Sequence, residues 1–358
     1  MMEVVDMMGL VSNDFAKIGY VSLEGVSNAY LTHPARHCLR TAYDVQDDLA
    51  MVVDAQVEKG PVSISKVNDE TSVFGIDTSN IVLGNTGEGI LCAIRGSIVW
   101  NEQGRYQYVR HGPFIFHITE ENKFALYNTL RQIYVDAEGS VGAPILERVA
   151  ERIRAILERW LQRQLCVATH DSLLLWDGSL TTRTVNSPLS VLGELLRIAR
   201  QNRNYVLAFS KKTTLTVSGH RLHEMIDDRF IPCVLDVDDA VRSVYGSHLR
   251  FFGRMYAAKL SPSPLAFRLD IDRRIPEDEG FTALGRLLGN ELLRDSYPET
   301  LRLAHILSRF SASEVLAMQR YVAENYGLRL NPELDVRQVL FGPYGGSNIN
   351  TYARGEWL

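Results

Sequence analysis

The 358-residue chain carries only four cysteines, Cys38, Cys92, Cys166 and Cys233, and no two of them form a CxxC pair. That scatter excludes a disulfide framework and a zinc ribbon, and it suits a cytoplasmic, reducing setting. No stretch approaches the ~20 consecutive apolar residues that a membrane-spanning helix needs. Met1 to Leu10 holds Glu3 and Asp6 but no basic residue, so it does not read as a secretory signal. Internal repeats and low-complexity runs are missing. So is a basic excess: the net charge is −5, and the chain as a whole lacks the electrostatic footprint of a protein that coats a phosphate backbone. Gly84 to Gly89 is glycine-rich but lacks the Gly-Lys-Ser/Thr of a phosphate-binding loop, so no nucleotide site is evident.

What is present is ordinary globular sequence, 46% hydrophobic and 23% charged, enough for one large domain with elaborations or for two. Residues 1–65 mix short apolar and charged pieces, with a helix plausible from Pro34 to Val57. They read as an N-terminal extension with a docking or dimerisation role, and 66–358 as the main domain. From Val73 the texture changes. Val73 to Ile76 is an apolar run stopping at Asp77. Ile90 to Ile94, Ser97 to Trp100, Tyr106 to Arg110 and Phe114 to Ile118 follow with short turns, which predicts antiparallel strands.

Ala143 to about Leu165 places Leu146, Val149, Ile153, Ile156, Leu157, Trp160 and Leu161 at three- and four-residue spacing, the signature of an amphipathic helix. Leu173 to Trp176 is a buried-strand run ending at Asp177. Pro188 to Arg200 reads as a helix with Ser187 as its N-cap, and Tyr205 to Phe209 as a strand. Late strands are expected at Arg250–Leu260 and Leu265–Ile271, and helices at Phe281–Arg294 and from Pro298 to Arg309. This order predicts a mixed α/β chain, a mixed sheet flanked by helices.

Two acids share one setting. Asp77 and Asp177 each follow a buried strand and precede small or hydroxylated residues, Asp77-Thr78-Ser79 and Asp177-Gly178-Ser179. If the strands are neighbours, the carboxylates converge. Such a pair binds hard divalent cations and can hold two of them about 4 Å apart for in-line phosphoryl displacement. The bland alternative is that each Asp opens a turn. Glu147, Glu151 and Glu158 share one face of the intervening helix, opposite its apolar stripe, which by periodicity alone is a solvent face.

These segments resemble the NurA family of archaeal and bacterial nucleases. The resemblance spans roughly Val73 to Gly346. It rests on Phe74-Gly75-Ile76-Asp77-Thr78-Ser79, on Leu174-Leu175-Trp176-Asp177-Gly178-Ser179-Leu180, on Ser210-Lys211-Lys212-Thr213, and on Tyr297-Pro298 followed by Ala304-His305. The family's first motif usually reads Asp-Gly-Ser, and Thr78 replaces its glycine. The resemblance implies a ribonuclease-H-like core, with C-terminal additions, and manganese-dependent cleavage of DNA, with magnesium as a substitute and two ions in the site. The implied activity is 5′-to-3′ exonuclease on single and double strands and endonuclease on single strands. By the same resemblance Asp77 and Asp177 are metal ligands, Glu158 is the helix glutamate with Glu151 as fallback, Lys211 contacts phosphate, and Tyr297 and His305 contribute to activity. A homodimer and a hexameric HerA-type ATPase partner in DNA end resection are implied as well.

Other readings stay open. Leu235-Asp236-Val237-Asp238-Asp239 has the outline of a DxD phosphatase motif, but too deep in the chain and without the following Thr or Val. His220 with His223, and His33 with His37 beside Cys38, have half-site spacing for zinc and no evident second half. Arg197, Arg200 and Arg203 form a basic cluster that reads more simply as a solvated face. A nuclease fold kept as a scaffold for an ATPase, and an RNA or junction nuclease on the same core, are the competing functions.

Overall fold

The computed structural model describes residues 14–26, 29–32, 52–55, 57, 59–135, 141–182, 189–211, 213, 215–226, 230–246 and 249–331. Most of the helix expected at Pro34–Val57, the His33/His37/Cys38 group, Ser187, Pro188, Lys212 and the end of the stretch Val73 to Gly346 lie outside them.

Among the described residues, eleven strands join in one mixed sheet. They are β1 (Tyr30–Thr32), β2 (Val62–Ser63), β3 (Val73–Asn85), β4 (Gly89–Glu102), β5 (Arg105–Thr119), β6 (Leu173–Asp177), β7 (Tyr205–Ser210), β8 (Cys233–Asp236), β9 (Gly253–Lys259), β10 (Phe267–Asp272) and β11 (Arg329–Asn331). At its centre β5, β4 and β3 are antiparallel, and β6 and β7 then follow parallel to β3. The spatial order β5-β4-β3-β6-β7 is that of the expected ribonuclease-H-like core. β10, β9, β8 and β2 extend it antiparallel beyond β7, and β1 and β11 extend it beyond β3. Residues of the 1–65 extension therefore belong to the same sheet, and Phe15 and Leu23 of the helical segment 14–23 are buried in its cores.

The antiparallel strands are longer than the apolar runs suggest. The pieces expected either side of residue 95 fuse into β4, and those either side of 112 into β5, because the ladder absorbs an irregularity at Ile94/Gly96 as a bulge and carries on. Asp77 consequently lies inside β3 rather than at its end, although the pairing of β3 with β6 does stop at Ile76.

Helices cover both faces. They are α1 (14–23), α2 (Lys123–Val135), α3 (Leu146–Ala168), α4 (Leu189–Gln201), α5 (Asp238–Tyr245), α6 (Glu277–Asn290), α7 (Glu299–Ser308) and α8 (Ala312–Tyr326). Side chains alternate along a strand, so Phe74 and Ile76 of β3 join Leu174 and Trp176 of β6 in the core beneath α3, with Ile153, Leu157, Trp160 and Leu161. Each such side chain contributes about 1.5–3 kcal/mol on burial. Val73 and Leu175 face the other way, into a core closed by α6 and α7 through Leu284, Leu287 and Leu301.

The helices differ from the sequence expectation at several points. The helix placed at Phe281–Arg294 starts earlier, at Glu277, where three acidic residues favour the helix N-terminus, and ends at Asn290, leaving Leu293–Arg294 to pair with Tyr297–Pro298. α7 buries Thr300, Leu301, Ala304 and Ser308, whereas Ile306 is exposed. α2 and α8 were not anticipated. The signals for α8 are a capping box, Ser311 with Glu314, and left-handed Gly327 at its end.

Glu314 ties α8 to the sheet. Its carboxylate takes Arg95 of β4 at 2.8 Å and Arg110 of β5 at 2.8 Å, while Arg95 also donates to the Arg309 carbonyl at 3.0 Å. The Arg95 hydrogen bond, helped by the Ser311 amide and Arg110, outweighs burial and pulls the Glu314 pKa down from 4.5 to about 2. A carboxyl whose folded-state pKa is depressed stabilises fully above its unfolded value and loses that contribution as pH falls through the folded one. Glu314→Gln is therefore expected to cost about 1 kcal/mol at neutral pH, a figure limited by solvent screening. It should also flatten the loss of thermal stability between pH 4.5 and 2. Melting curves across that range check both; parallel curves for the two proteins would contradict the assignment.

Candidate metal centre

The register of β3 and β6 sets the site. Val73 pairs with Leu173 and the ladder runs to Ile76 with Trp176, so Asp77 and Asp177 occupy the next rung of two parallel strands. Adjacent strands lie about 4.8 Å apart and equivalent rungs point to one face. One carboxylate oxygen from each aspartate and one ring nitrogen of His305 all fall within 4.8 Å of one another.

His305 arrives on α7, which lies along the opposite face of β3 from α3. Gly75, Asp77 and Ser79 meet this helix in succession. A Cβ at Gly75 would stand 2.9 Å from Thr300 Cγ2 and 3.1 Å from the Thr300 carbonyl carbon, so glycine lets the helix sit on the strand. Ser79 donates to the Ser308 carbonyl, and Ser97 of β4 donates to the Ala304 carbonyl at 2.6 Å. The start of α7 is held by the buried carboxylate of Glu291. It accepts from the Thr300 amide and hydroxyl, both at 2.7 Å, from Asn101 at 3.2 Å and from Tyr106 at 3.2 Å. Burial pushes the Glu291 pKa up against these bonds.

Within this frame Asp77 Oδ2 faces His305 Nδ1 at 2.7 Å and accepts from Ser308 Oγ at 3.1 Å. Ser308 was not foreseen; its position three residues after His305, on the same face of α7, is the signal for it. Asp177 pairs with Lys211 at 2.7 Å. Lys211 follows β7 directly, and β7 runs parallel to β6 with Phe209 opposite Asp177. Gly178, at φ +106°, turns the chain away where a side chain would be strained. The turn is fastened by Asp270, which accepts from the Leu180 amide at 2.9 Å and is itself paired with buried Arg268.

The two carboxylates differ electrostatically. Burial raises the pKa of each. At Asp77 the His305 hydrogen bond and the charges of Lys211, His305 and Arg154 reverse that and hold it below the usual range. At Asp177 burial, with the neighbouring charges of Asp77 and Glu158, prevails over Lys211 and holds it above.

Tyr297, just before α7, is buried against Phe209 and Phe267, with Lys211 Nζ 5.7 Å from its ring centre. Burial and then the charges of Asp177 and Asp77 push its pKa well above 10, so it stays protonated. Its hydroxyl has no hydrogen-bond partner among the described residues. A buried donor without a partner, beside two carboxylates and an imidazole, fits a centre that receives further oxygen atoms. The oxygen and nitrogen donor set suits Mn²⁺ or Mg²⁺ rather than a soft metal.

Glu158 does not join the three-residue group. It is half-buried on the face of α3 turned to β3, not on a solvent face, and it pairs with Thr78 Oγ1 at 3.2 Å and Arg154 at 2.8 Å. Periodicity missed this because the polar side of α3 meets the polar stretch Asp77–Asn80 in the middle of β3. Glu151, the fallback, is half-buried earlier on the same helix.

The other candidates are accounted for structurally. Asp236 pairs with Lys59, and Asp238 with Arg273 and Arg242. His220 and His223 each lie 3.8 Å from Glu224 near the surface. Arg197, Arg200 and Arg203 pair with Glu194, Asp272 and Asp171. Among the described residues no helix is long and apolar enough to cross a membrane.

A mixed sheet whose adjacent parallel strands present two aspartates to a histidine-bearing helix brings together a group that could hold a metal ion. The NurA domain matches residues 71–310, and the chain belongs to the NurA family, a family of nucleases. Among solved structures, the NurA nuclease from Sulfolobus solfataricus is similar at a TM-score of 0.48 and 14% identity, over 75% of this chain and 88% of that one. Endonuclease V from Bacillus subtilis follows at a TM-score of 0.34 and 12% identity, over 73% and 88%. A second NurA structure gives a TM-score of 0.32 and 7% identity, over 72% and 90%. No curated protein matches the chain.

The close approach at Gly75 predicts the effect of its smallest change. Gly75→Ala is expected to lift α7 from β3, costing about 1–3 kcal/mol of stability as an overpacked contact does. Because His305 rides on that helix, nuclease activity should fall as well, at temperatures where the variant is fully folded. Thermal unfolding and a cleavage assay on the same preparation test this; unchanged stability would mean that the helix is not seated as described.

Proposed function

We propose that the chain is a divalent-metal-dependent deoxyribonuclease, and the observation that carries this reading is the convergence of Asp77, Asp177 and His305 on one rung of the sheet. Asp77, Asp177 and His305 would hold Mn²⁺ or Mg²⁺. When bound, the ion neutralises charge developing on the scissile phosphate and generates a hydroxide nucleophile.

The chain's own groups serve the rest. Lys211, released from Asp177 when that carboxylate binds an ion, is placed to contact a phosphate oxygen. The Tyr297 hydroxyl, protonated and unpartnered, donates to a second one and orients it. His305 stands against Asp77 through Nδ1, with Nε2 3.5 Å from the Arg309 guanidinium, so the ring would complete the ligand set beside that aspartate. Cleavage of DNA in particular, 5′-to-3′ polarity on single and double strands, endonuclease action on single strands, a homodimer, and coupling to a hexameric HerA-type ATPase in end resection belong to this proposal on the strength of the family. The lack of a phosphate-binding loop agrees with an external motor.

End-labelled single- and double-stranded DNA, incubated with Mn²⁺, Mg²⁺ or EDTA, tests the reading. Cleavage should need metal, and the labelled end should give the polarity. Asp77→Asn and Asp177→Asn should each lose at least about a hundredfold in rate while remaining folded, since a ligand contributes several kcal/mol to the transition state. Full activity in EDTA, or in either variant free of contaminating nuclease, would sink it.

His305→Ala separates chemistry from packing. Its side chain is half-exposed at the edge of α7. The variant is expected to lower kcat by about 10²-fold or more with little change in DNA affinity, as loss of a metal ligand that acts in the transition state does. A lower melting temperature with unchanged turnover would make His305 a packing residue instead.

A further inference from the structure

A divalent ion held by Asp77, Asp177 and His305 leaves the role of Glu158 to be explained. Side chains alternate across β3, so Asp77 points to the α7 face and Thr78 to the α3 face. Glu158 reaches the sheet from the α3 side and ends on Thr78. Arg154, one helical turn before it, closes a three-way contact: its Nη1 donates to Glu158 Oε2 at 2.8 Å and to Thr78 Oγ1 at 3.0 Å, and lies 3.5 Å from the Thr78 carbonyl. Both partners are largely shielded, with a quarter or less of either side chain exposed. Charge-assisted bonds in such a setting are about twice as strong as neutral ones.

The position of Arg154 matters as much as its partner. The charges of Glu158 and Asp77 both act on it. Its guanidinium thus holds the Glu158 carboxylate on the α3 side of β3, apart from the three groups that converge on the α7 side. Resting on the metal-dependent reading of the aspartate rung, we propose that the centre takes one divalent cation per chain, on Asp77, Asp177 and His305, and that Arg154, locked to Glu158 and Thr78, neutralises that glutamate and keeps it from ligating a second. Glu158 is then the anchor of the Arg154 guanidinium, and not a metal ligand.

Counting Mn²⁺ by titration calorimetry, with electron paramagnetic resonance of the loaded protein, tests this without reference to activity. The wild-type chain is expected to bind one ion with an uncoupled spectrum. Glu158→Gln should still bind one, with unchanged affinity. Arg154→Met should free the glutamate and admit a second ion, seen as two per chain and a spin-coupled pair. Two coupled ions in the wild type would overturn the inference, and so would one ion in an Arg154→Met protein of normal melting temperature. A weakening by more than about tenfold in Glu158→Gln, as loss of a ligand brings, would do the same, and this arm stands even if Arg154→Met does not fold. These three results leave metal-dependent cleavage intact. No ion bound to the wild type, or equal binding by Asp77→Asn, would remove the metal reading and this inference with it.

Discussion

The parallel pairing of β3 with β6 is the constraint on which the rest of the site depends. Once Ile76 is set against Trp176, Asp77 and Asp177 become neighbours, held a strand spacing apart by backbone hydrogen bonds rather than by flexible side-chain contacts. Two buried carboxylates at that distance repel each other, and burial itself works against their charge. The surrounding groups answer this directly. His305 and Ser308 stand on Asp77, and Lys211 on Asp177. A cation bound between the aspartates would relieve the same stress, which is why the arrangement suits a metal.

The two faces of β3 divide the work. On one, Phe74 and Ile76 secure α3 through apolar packing. On the other, Gly75 admits α7 at close range, Glu291 fixes its first turn, and Ser79 and Ser97 bind its last carbonyls. The short motif Phe74-Gly75-Ile76-Asp77-Thr78-Ser79 therefore encodes two helix contacts, one ligand and one partner for Glu158 in alternating positions. This explains how a single strand can govern both the position of His305 and the state of Glu158.

Much of this was legible in the sequence because it rests on local pattern. The amphipathic spacing of Val149 to Leu161, the apolar run before Asp177, and the matched settings of the two aspartates all survive folding. The order of strands and helices sufficed for the mixed α/β class, and the motifs for the family. The features that were not legible depend on contacts between distant segments. The polar side of α3 looks solvent-facing until β3 is laid beside it, so Arg154 and Thr78 went unnoticed. Ser308 and Glu291 are ordinary residues in sequence and acquire their roles only when α7 docks. The long strands β4 and β5 hid behind Gly96 and the Gly112–Pro113 step, where the chain suggests a turn and the sheet continues.

The central claim is that the aspartate rung is where the metal sits. Anomalous diffraction from crystals of the wild-type protein soaked in Mn²⁺, recorded at the manganese edge, tests it most directly. The account predicts a peak bonded to one oxygen of Asp77 and one of Asp177, with Lys211 displaced from Asp177. A peak elsewhere, with Asp77 still paired to His305 and Asp177 still paired to Lys211, would contradict it.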